Sequence, residues 1–266
     1  MTTSTNATTH TNRLLRSAGT LARATRDAVI DLILPAVCAA CGRAGAPACG
    51  DCLAELASGP TPVAPGVSAL GRHDGDAREL VLALKERGRR DLARTLGRAL
   101  AGAVPRAPGA SPASDGTWWL VPVPSRPSAA RVRGGAHVLA LARCCAAALA
   151  EQGASAAVAP ALRLSPRARD AVGLDRAARV ANLRGRVHVD PRGVPDPGTP
   201  VVLLDDVVTT GATLDSCARV LTAHGLDVTA ALTLTAASRT FGGARVKPRN
   251  LSPTRVVGEL KTGGRR

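Results

Sequence analysis

Residues 201–213 read Val-Val-Leu-Leu-Asp-Asp-Val-Val-Thr-Thr-Gly-Ala-Thr: four apolar residues, two adjacent carboxylates and a small-residue loop. Val201 to Leu204 have the length and β-branched content of a buried parallel strand. After the loop comes a helical pattern with Leu214, Cys217, Val220 and Leu221 on one face and Gly225 at the C-terminal cap. A strand that feeds a small-residue loop at a helix N-terminus is a phosphate cradle, because free backbone N–H groups and the positive dipole end converge there. Thr209, Thr210 and Thr213 add hydroxyl donors, Gly211 and Ala212 let the backbone approach an anion, and Asp205 and Asp206 suit the vicinal hydroxyls of a ribose. The alternative is an ordinary buried strand and turn with solvated Asp residues.

The second constellation is Cys38-x-x-Cys41, seven intervening residues, then Cys49-x-x-Cys52. Two Cys-x-x-Cys knuckles offer four thiolates at tetrahedral reach, the pattern of a closed structural zinc site. Disulfide pairing is the alternative, and the lack of a secretory signal order in the polar N-terminus argues against an oxidising compartment. Cys144, Cys145 and Cys217 fall on helical patterns and read as core.

The chain has 266 residues, enough for one α/β domain and a small appendage, and 45% of them are hydrophobic. Thirty-five Lys and Arg against twenty acids leave a net charge of +15, which favours an anionic partner. The longest apolar stretch, Val138 to Ala150, contains Arg143 and is too short to span a bilayer, so no membrane span and a cytoplasmic location are expected. Residues 1–12 look disordered and 13–34 form an amphipathic helix. Pro-rich 59–66 reads as a linker, and 77–103 carry two helices broken at Lys85–Gly88. A buried strand over 117–124 ends in Pro122 and Pro124, followed by an Arg/Ser/Gly loop over 125–135 and a helix over 136–150. Residues 160–186 are Arg-rich and irregular, 226–236 suggest a last strand, and 245–266 a basic tail. Trp118 and Trp119 read as core residues ahead of a buried strand, or as platforms for stacking a base.

The 201–213 segment resembles, position by position, the phosphoribosyl-pyrophosphate (PRPP) signature of type I phosphoribosyltransferases. The cysteine knuckles, Leu84-Lys85-x-x-Gly88, the Val121-Pro122-Val123-Pro124 strand end, Arg131-x-Arg133-Gly134-Gly135 and Arg169-Asp170…Gly173-Leu174…Arg179…Asn182-Leu183 occur with it. Together they resemble the ComF competence-protein family, which is amidophosphoribosyltransferase-like, over roughly residues 28–240. The resemblance implies a twisted, mostly parallel sheet with helices on both faces, preceded by a zinc-knuckle hood. Its parts would be a disordered 1–12, a helix and four-cysteine module over 13–58, a phosphoribosyltransferase-like domain over 67–244 and a flexible tail over 245–266.

The implied activity is transfer of phosphoribosyl to a nitrogen acceptor with release of pyrophosphate. Asp205 and Asp206 would be the catalytic acids that hold the ribose hydroxyls, and Thr209, Thr210, Gly211, Ala212 and Thr213 would hold the 5′-phosphate. Arg131, Arg133 and Lys85 would contact the pyrophosphate side of PRPP, with Arg169 and Arg179 on a closing loop. His137 is either a pyrophosphate donor or a plain helix-start residue. Zinc would be structural, bound by Cys38, Cys41, Cys49 and Cys52, and magnesium would accompany PRPP. Relatives that use 6-oxopurines carry an Asp base where this chain has Thr209, which disfavours those acceptors. Many carry Arg-Gly-Phe-Asn-Gln where this chain has Arg133-Gly134-Gly135-Ala136-His137. The other implied reading is an accessory role in DNA uptake, binding a nucleotide, single-stranded DNA or competence proteins. Arg13, Arg16, Arg23 and Arg26 and a tail with eight basic residues from Arg239 onward against Glu259 suit it.

Overall fold

The computed structural model describes residues 36–125, 136–165 and 186–237. The helix expected over 13–34, the disordered 1–12, the tail over 245–266, and Arg131, Arg133, Arg169 and Arg179 lie outside them.

In chain order the elements are α1 (Gly50–Ser58), β1 (Thr61–Ala64), β2 (Val67–Arg72), α2 (Gly75–Lys85) and α3 (Leu92–Ala103). A short 3₁₀ turn (Val104–Arg106), β3 (Trp118–Pro122), α4 (His137–Glu151), β4 (Ala156–Val158), β5 (Leu162–Leu164) and β6 (Val187–Val189) follow. After a second 3₁₀ turn (Pro191–Gly193) come β7 (Pro200–Val208), α5 (Ala212–Ala223) and β8 (Asp227–Ala236). Six strands form one sheet in the order β1-β2-β8-β7-β3-β4, parallel throughout except for the antiparallel edge strand β1. β5 and β6 pair antiparallel in a separate small sheet.

The layers follow from the pleat, since successive residues of a strand face opposite sides. Val202 and Leu204 of β7, with Leu232 and Leu234 of β8, share one core with Leu80, Leu84, Leu96, Leu100, Leu141 and Leu149 of α2, α3 and α4. Val201, Leu203 and Ala231 face the other core, which α5 covers with Leu214, Cys217 and Leu221. Helices therefore lie on both sides of a mixed α/β sheet. A central strand covered on both faces needs an unbroken apolar run, and β7 has one. Trp118 and Trp119 do not precede the strand but begin β3, half-buried, one against each core. Cys145 and Cys217 are fully buried and Cys144 is half-buried.

Two expectations need correction. The Pro-rich stretch 59–66 does not merely link: Thr61 to Ala64 pair with Val67 to Ala69 as β1. Pro62 is tolerated there because an edge strand leaves one row of its groups unpaired. The strand expected over 201–204 runs on through both acids to Val208, because β8 supplies a partner as far as Ala236. β2 gave no strand signal; Val-Ser-Ala-Leu-Gly-Arg has little β-branched content, and its place between β1 and β8 makes it a strand.

Candidate functional site

β3 and β7 are neighbours, yet their connections leave in opposite directions: α4 carries the chain outward to β4, and α5 carries it to β8 on the other side. Such a reversal opens a crevice at the carboxyl ends of the two strands, where open α/β sheets bind ligands. Asp205, Asp206 and the 209–213 loop occupy the β7 side of that crevice, and His137, the first residue of α4, stands on the β3 side.

Asp206 is the hub. Its side chain is 5% exposed, and Oδ2 accepts both Lys85 Nζ at 2.7 Å and His137 Nε2 at 2.8 Å. Oδ1 accepts the Val207 backbone N–H at 2.8 Å. Burial alone would push this carboxyl up, but the His137 hydrogen bond and the Lys85 charge more than reverse it and hold Asp206 ionised, below the usual carboxylate range. An ionised carboxylate only accepts, so His137 Nε2 carries the proton. Nδ1, on the other side of the ring, is buried with no hydrogen-bond partner among the described residues. Lys85, expected on the pyrophosphate side, lies at the end of α2, and tertiary contact places both it and His137 on Asp206.

Asp205 sits differently. It is buried, its Oδ1 accepts the Asp206 backbone N–H at 2.8 Å, and no ion pair involves it among the described residues. Burial first, and then the neighbouring Asp206 charge, push its carboxyl well above the usual range. The two acids thus titrate apart.

The cradle is built as its residue types require. Gly211 adopts φ 75° at the N-cap of α5, a left-handed conformation that side chains disfavour, and no side chain caps the helix. Thr210 Oγ1 receives the Ala212 N–H at 3.4 Å. Thr209 is exposed, while Thr210, Gly211 and Thr213 are half-buried. Uncapped N–H groups and the helix dipole make this turn receptive to an anion.

Sequence reasoning missed His73, which follows β2 and donates to or accepts from the buried Thr235 hydroxyl through Nδ1 at 2.8 Å. Burial, together with the nearby Arg78 and Lys85 charges, lowers its pKa and favours the neutral ring. No local signal marks it: only the parallel pairing of Arg72 with Ala236 brings it to this end of the sheet.

The four cysteines meet at the other functional candidate. The Sγ atoms of Cys38, Cys41, Cys49 and Cys52 all lie within 4.8 Å of one another. Val37 and Ala44 bridge, Gly42 N–H donates to Cys38 O at 2.9 Å with φ 76° at Gly42, and Cys49 caps α1 so that Cys52 falls in its first turn. Burial raises the Cys38 thiol, but the N–H groups of Cys41, Cys49 and Ala40 outweigh it and bring the thiol down to about 6. No disulfide joins these residues. The arrangement is one that can hold a metal ion. Arg89 Nη2 donates to Val37 O at 2.9 Å, and Cys38, Cys52 and Leu56 join the core that holds Leu70 and Leu80.

No family model matches the chain, and no curated protein matches it. No helix among the described residues is long and apolar enough to cross a membrane.

Proposed function

We propose that this protein binds PRPP at the carboxyl ends of β3 and β7 and transfers its phosphoribosyl group to a nitrogen acceptor, as the resemblance to ComF-type and other type I phosphoribosyltransferases implies. The observation that carries this reading is one ionised, buried carboxylate, Asp206, beside an uncapped, glycine-started helix N-terminus at the switch point of the sheet. A carboxylate and an anion cradle a few residues apart match a sugar phosphate, whose hydroxyls donate to the first while its phosphate accepts from the second. Lys85 and His137 contribute positive charge and a donor where the leaving pyrophosphate gathers charge, so the chain's part is to position the sugar and neutralise the leaving group. Magnesium, when bound, would neutralise the diphosphate, held largely by the ligand's own oxygens. In the head, four thiols within 4.8 Å suit a Zn–S tetrahedron with bonds of about 2.3 Å, which supports zinc as the metal held there.

The test is calorimetry with PRPP and magnesium. Asp206→Asn removes a charged acceptor worth about 1.5–3 kcal/mol, a loss of roughly tenfold to a hundredfold in affinity. Gly211→Val forces a β-branched side chain into φ 75° and should lose binding as well. Unchanged affinity in both variants overturns the assignment. Acceptor-dependent pyrophosphate release over a panel of bases and amines then establishes transfer. The net charge of +15 supports the accessory reading: DNA binding that falls steeply with salt, survives Asp206→Asn and accompanies no turnover would replace the enzyme with it.

A further inference from the structure

We infer that Lys85 decides which sugar phosphates the crevice accepts: its ammonium holds the Asp206 carboxylate, and yields it only to a ligand that also brings a diphosphate. The inference rests on the PRPP reading and deepens it. Lys85 becomes a specificity-determining residue that rejects ribose 5-phosphate, which has the vicinal hydroxyls and the 5′-phosphate of PRPP but no diphosphate.

Acceptor sites on Asp206 are already taken. An ionised carboxylate offers about four lone-pair sites. Oδ2 accepts Lys85 Nζ at 2.7 Å and His137 Nε2 at 2.8 Å, and Oδ1 accepts the Val207 N–H at 2.8 Å. The Asp205 carboxyl is in hydrogen-bond contact with the same group. With the side chain 5% exposed, little surface is left on which a hydroxyl could add, so a sugar diol must displace a partner. The Val207 N–H belongs to the strand backbone, and His137 is buried in the first turn of α4. Lys85 is the partner that can leave: it is the last residue of α2, its side chain is 31% exposed, and its ammonium rides on a flexible stem. Leaving costs the ion pair unless another anion receives the ammonium. Ribose 5-phosphate commits its one phosphate to the cradle at 209–213 and brings nothing for Lys85. A diphosphate on C1 does. Lys85 and His137 meet at one oxygen, so the ammonium already lies beside the start of α4, on the β3 side of the crevice where the leaving group gathers charge. The diol frees the cation and the diphosphate takes it, so the two ligand groups bind well only together.

The experiment uses the full-length protein with magnesium and reads calorimetric affinities for PRPP, ribose 5-phosphate and inorganic pyrophosphate. Wild type should prefer PRPP to ribose 5-phosphate. Lys85→Met should bind ribose 5-phosphate more tightly than wild type and PRPP more weakly, narrowing that preference by about fivefold or more, the lower end of ordinary coupling between sites. Asp206→Asn frees Lys85 from its ion pair, so it should gain affinity for pyrophosphate while losing it for PRPP. That gain should vanish in Lys85→Met/Asp206→Asn, which separates the freed ammonium from mere relief of charge repulsion. A purely structural Lys85 would instead lower every affinity together. Ribose 5-phosphate binding that is unchanged or weaker in folded Lys85→Met overturns the inference. So does a pyrophosphate gain that is missing from Asp206→Asn or persists in the double variant. If Lys85→Met fails to fold, Asp206→Asn and the double variant, which leaves neither partner charged, decide the matter. Failure of wild type to bind PRPP and ribose 5-phosphate sinks the phosphoribosyl reading instead and leaves the pyrophosphate measurements to judge Lys85.

Discussion

The cysteine head and the Asp206 crevice are assembled in opposite ways. All four thiols lie between Cys38 and Cys52, so two tight turns and the start of one helix suffice to gather them. The crevice draws Lys85 from α2, His137 from α4 and Asp206 from β7, and only the sheet order brings those three together. A site made within fifteen consecutive residues depends on its own ligand chemistry. A site made of distant elements depends on the packing of everything between them, and its parts should respond to mutations far from the chemistry.

Removing the metal tests that contrast most strongly. Structural zinc contributes about 10–16 kcal/mol in isolated finger peptides, so chelation or Cys38→Ser should abolish hydrogen-exchange protection over residues 37–56. The amides of β7 and β8 should stay protected. Elemental analysis of protein purified under reducing conditions should find about one zinc per chain, and unaltered protection after its removal would show that the head folds without metal.

The next effect lies at the crevice. Lys85→Met leaves Asp206 buried with one partner fewer, and removing one member of a buried ion pair costs about 3–5 kcal/mol. Because the Lys85 side chain is 31% exposed, water screens part of the loss, and the shift in a urea midpoint should sit at or below the lower figure. A loss under about 0.5 kcal/mol would mean that Asp206 is solvated well enough to do without its cation.

Packing at a distance comes third. A Cβ on Gly97 of α3 would lie 2.5 Å from Cys144 Cβ, so these two helices touch nearly backbone to backbone. Gly97→Val should destabilise the chain by about 1–3 kcal/mol, push α4 outward and draw His137 off Asp206, without touching the head. A changed His137 ring signal in NMR with unchanged metal content is the expected outcome; retention of both would separate the crevice from helix packing.

The pH dependence is the finest probe. Asp205 has a raised pKa in the folded state, so the stability it contributes is complete below the unfolded value near 3.9 and is lost as pH rises. Asp206 has a lowered one, so its contribution is present above that value and is lost as pH falls. Wild type should therefore lose stability relative to Asp205→Asn from about pH 4 upward, by at most about 1.4 kcal/mol per pH unit, and relative to Asp206→Asn the slope should reverse. A flat difference between wild type and Asp205→Asn would mean that Asp205 ionises alike in both states.

Much of the molecule was legible before any coordinate. The four-cysteine cluster follows from spacing alone, because short loops leave the thiols no other place to meet. The helices over Gly75–Lys85, Leu92–Ala103 and His137–Glu151 follow from apolar periodicity and a break at Lys85–Gly88, and β8 from an apolar run between turn residues. β7 was visible as to its start and its loop, since apolar runs and a Thr-Thr-Gly turn are local signals. What the sequence could not decide was where β7 ends, because pairing with β8 rather than any property of Asp205 and Asp206 carries it on to Val208. Nor could it decide that adjacent, identical residues would live in different media. Asp206 receives Lys85 and His137 while Asp205 has no ion pair among the described residues, and burial then separates their protons. Residue type and spacing settle which groups are available. Protonation, partner and direction are settled by neighbours far away in the chain, because electrostatic energies in a buried site depend on distances that only the folded sheet establishes.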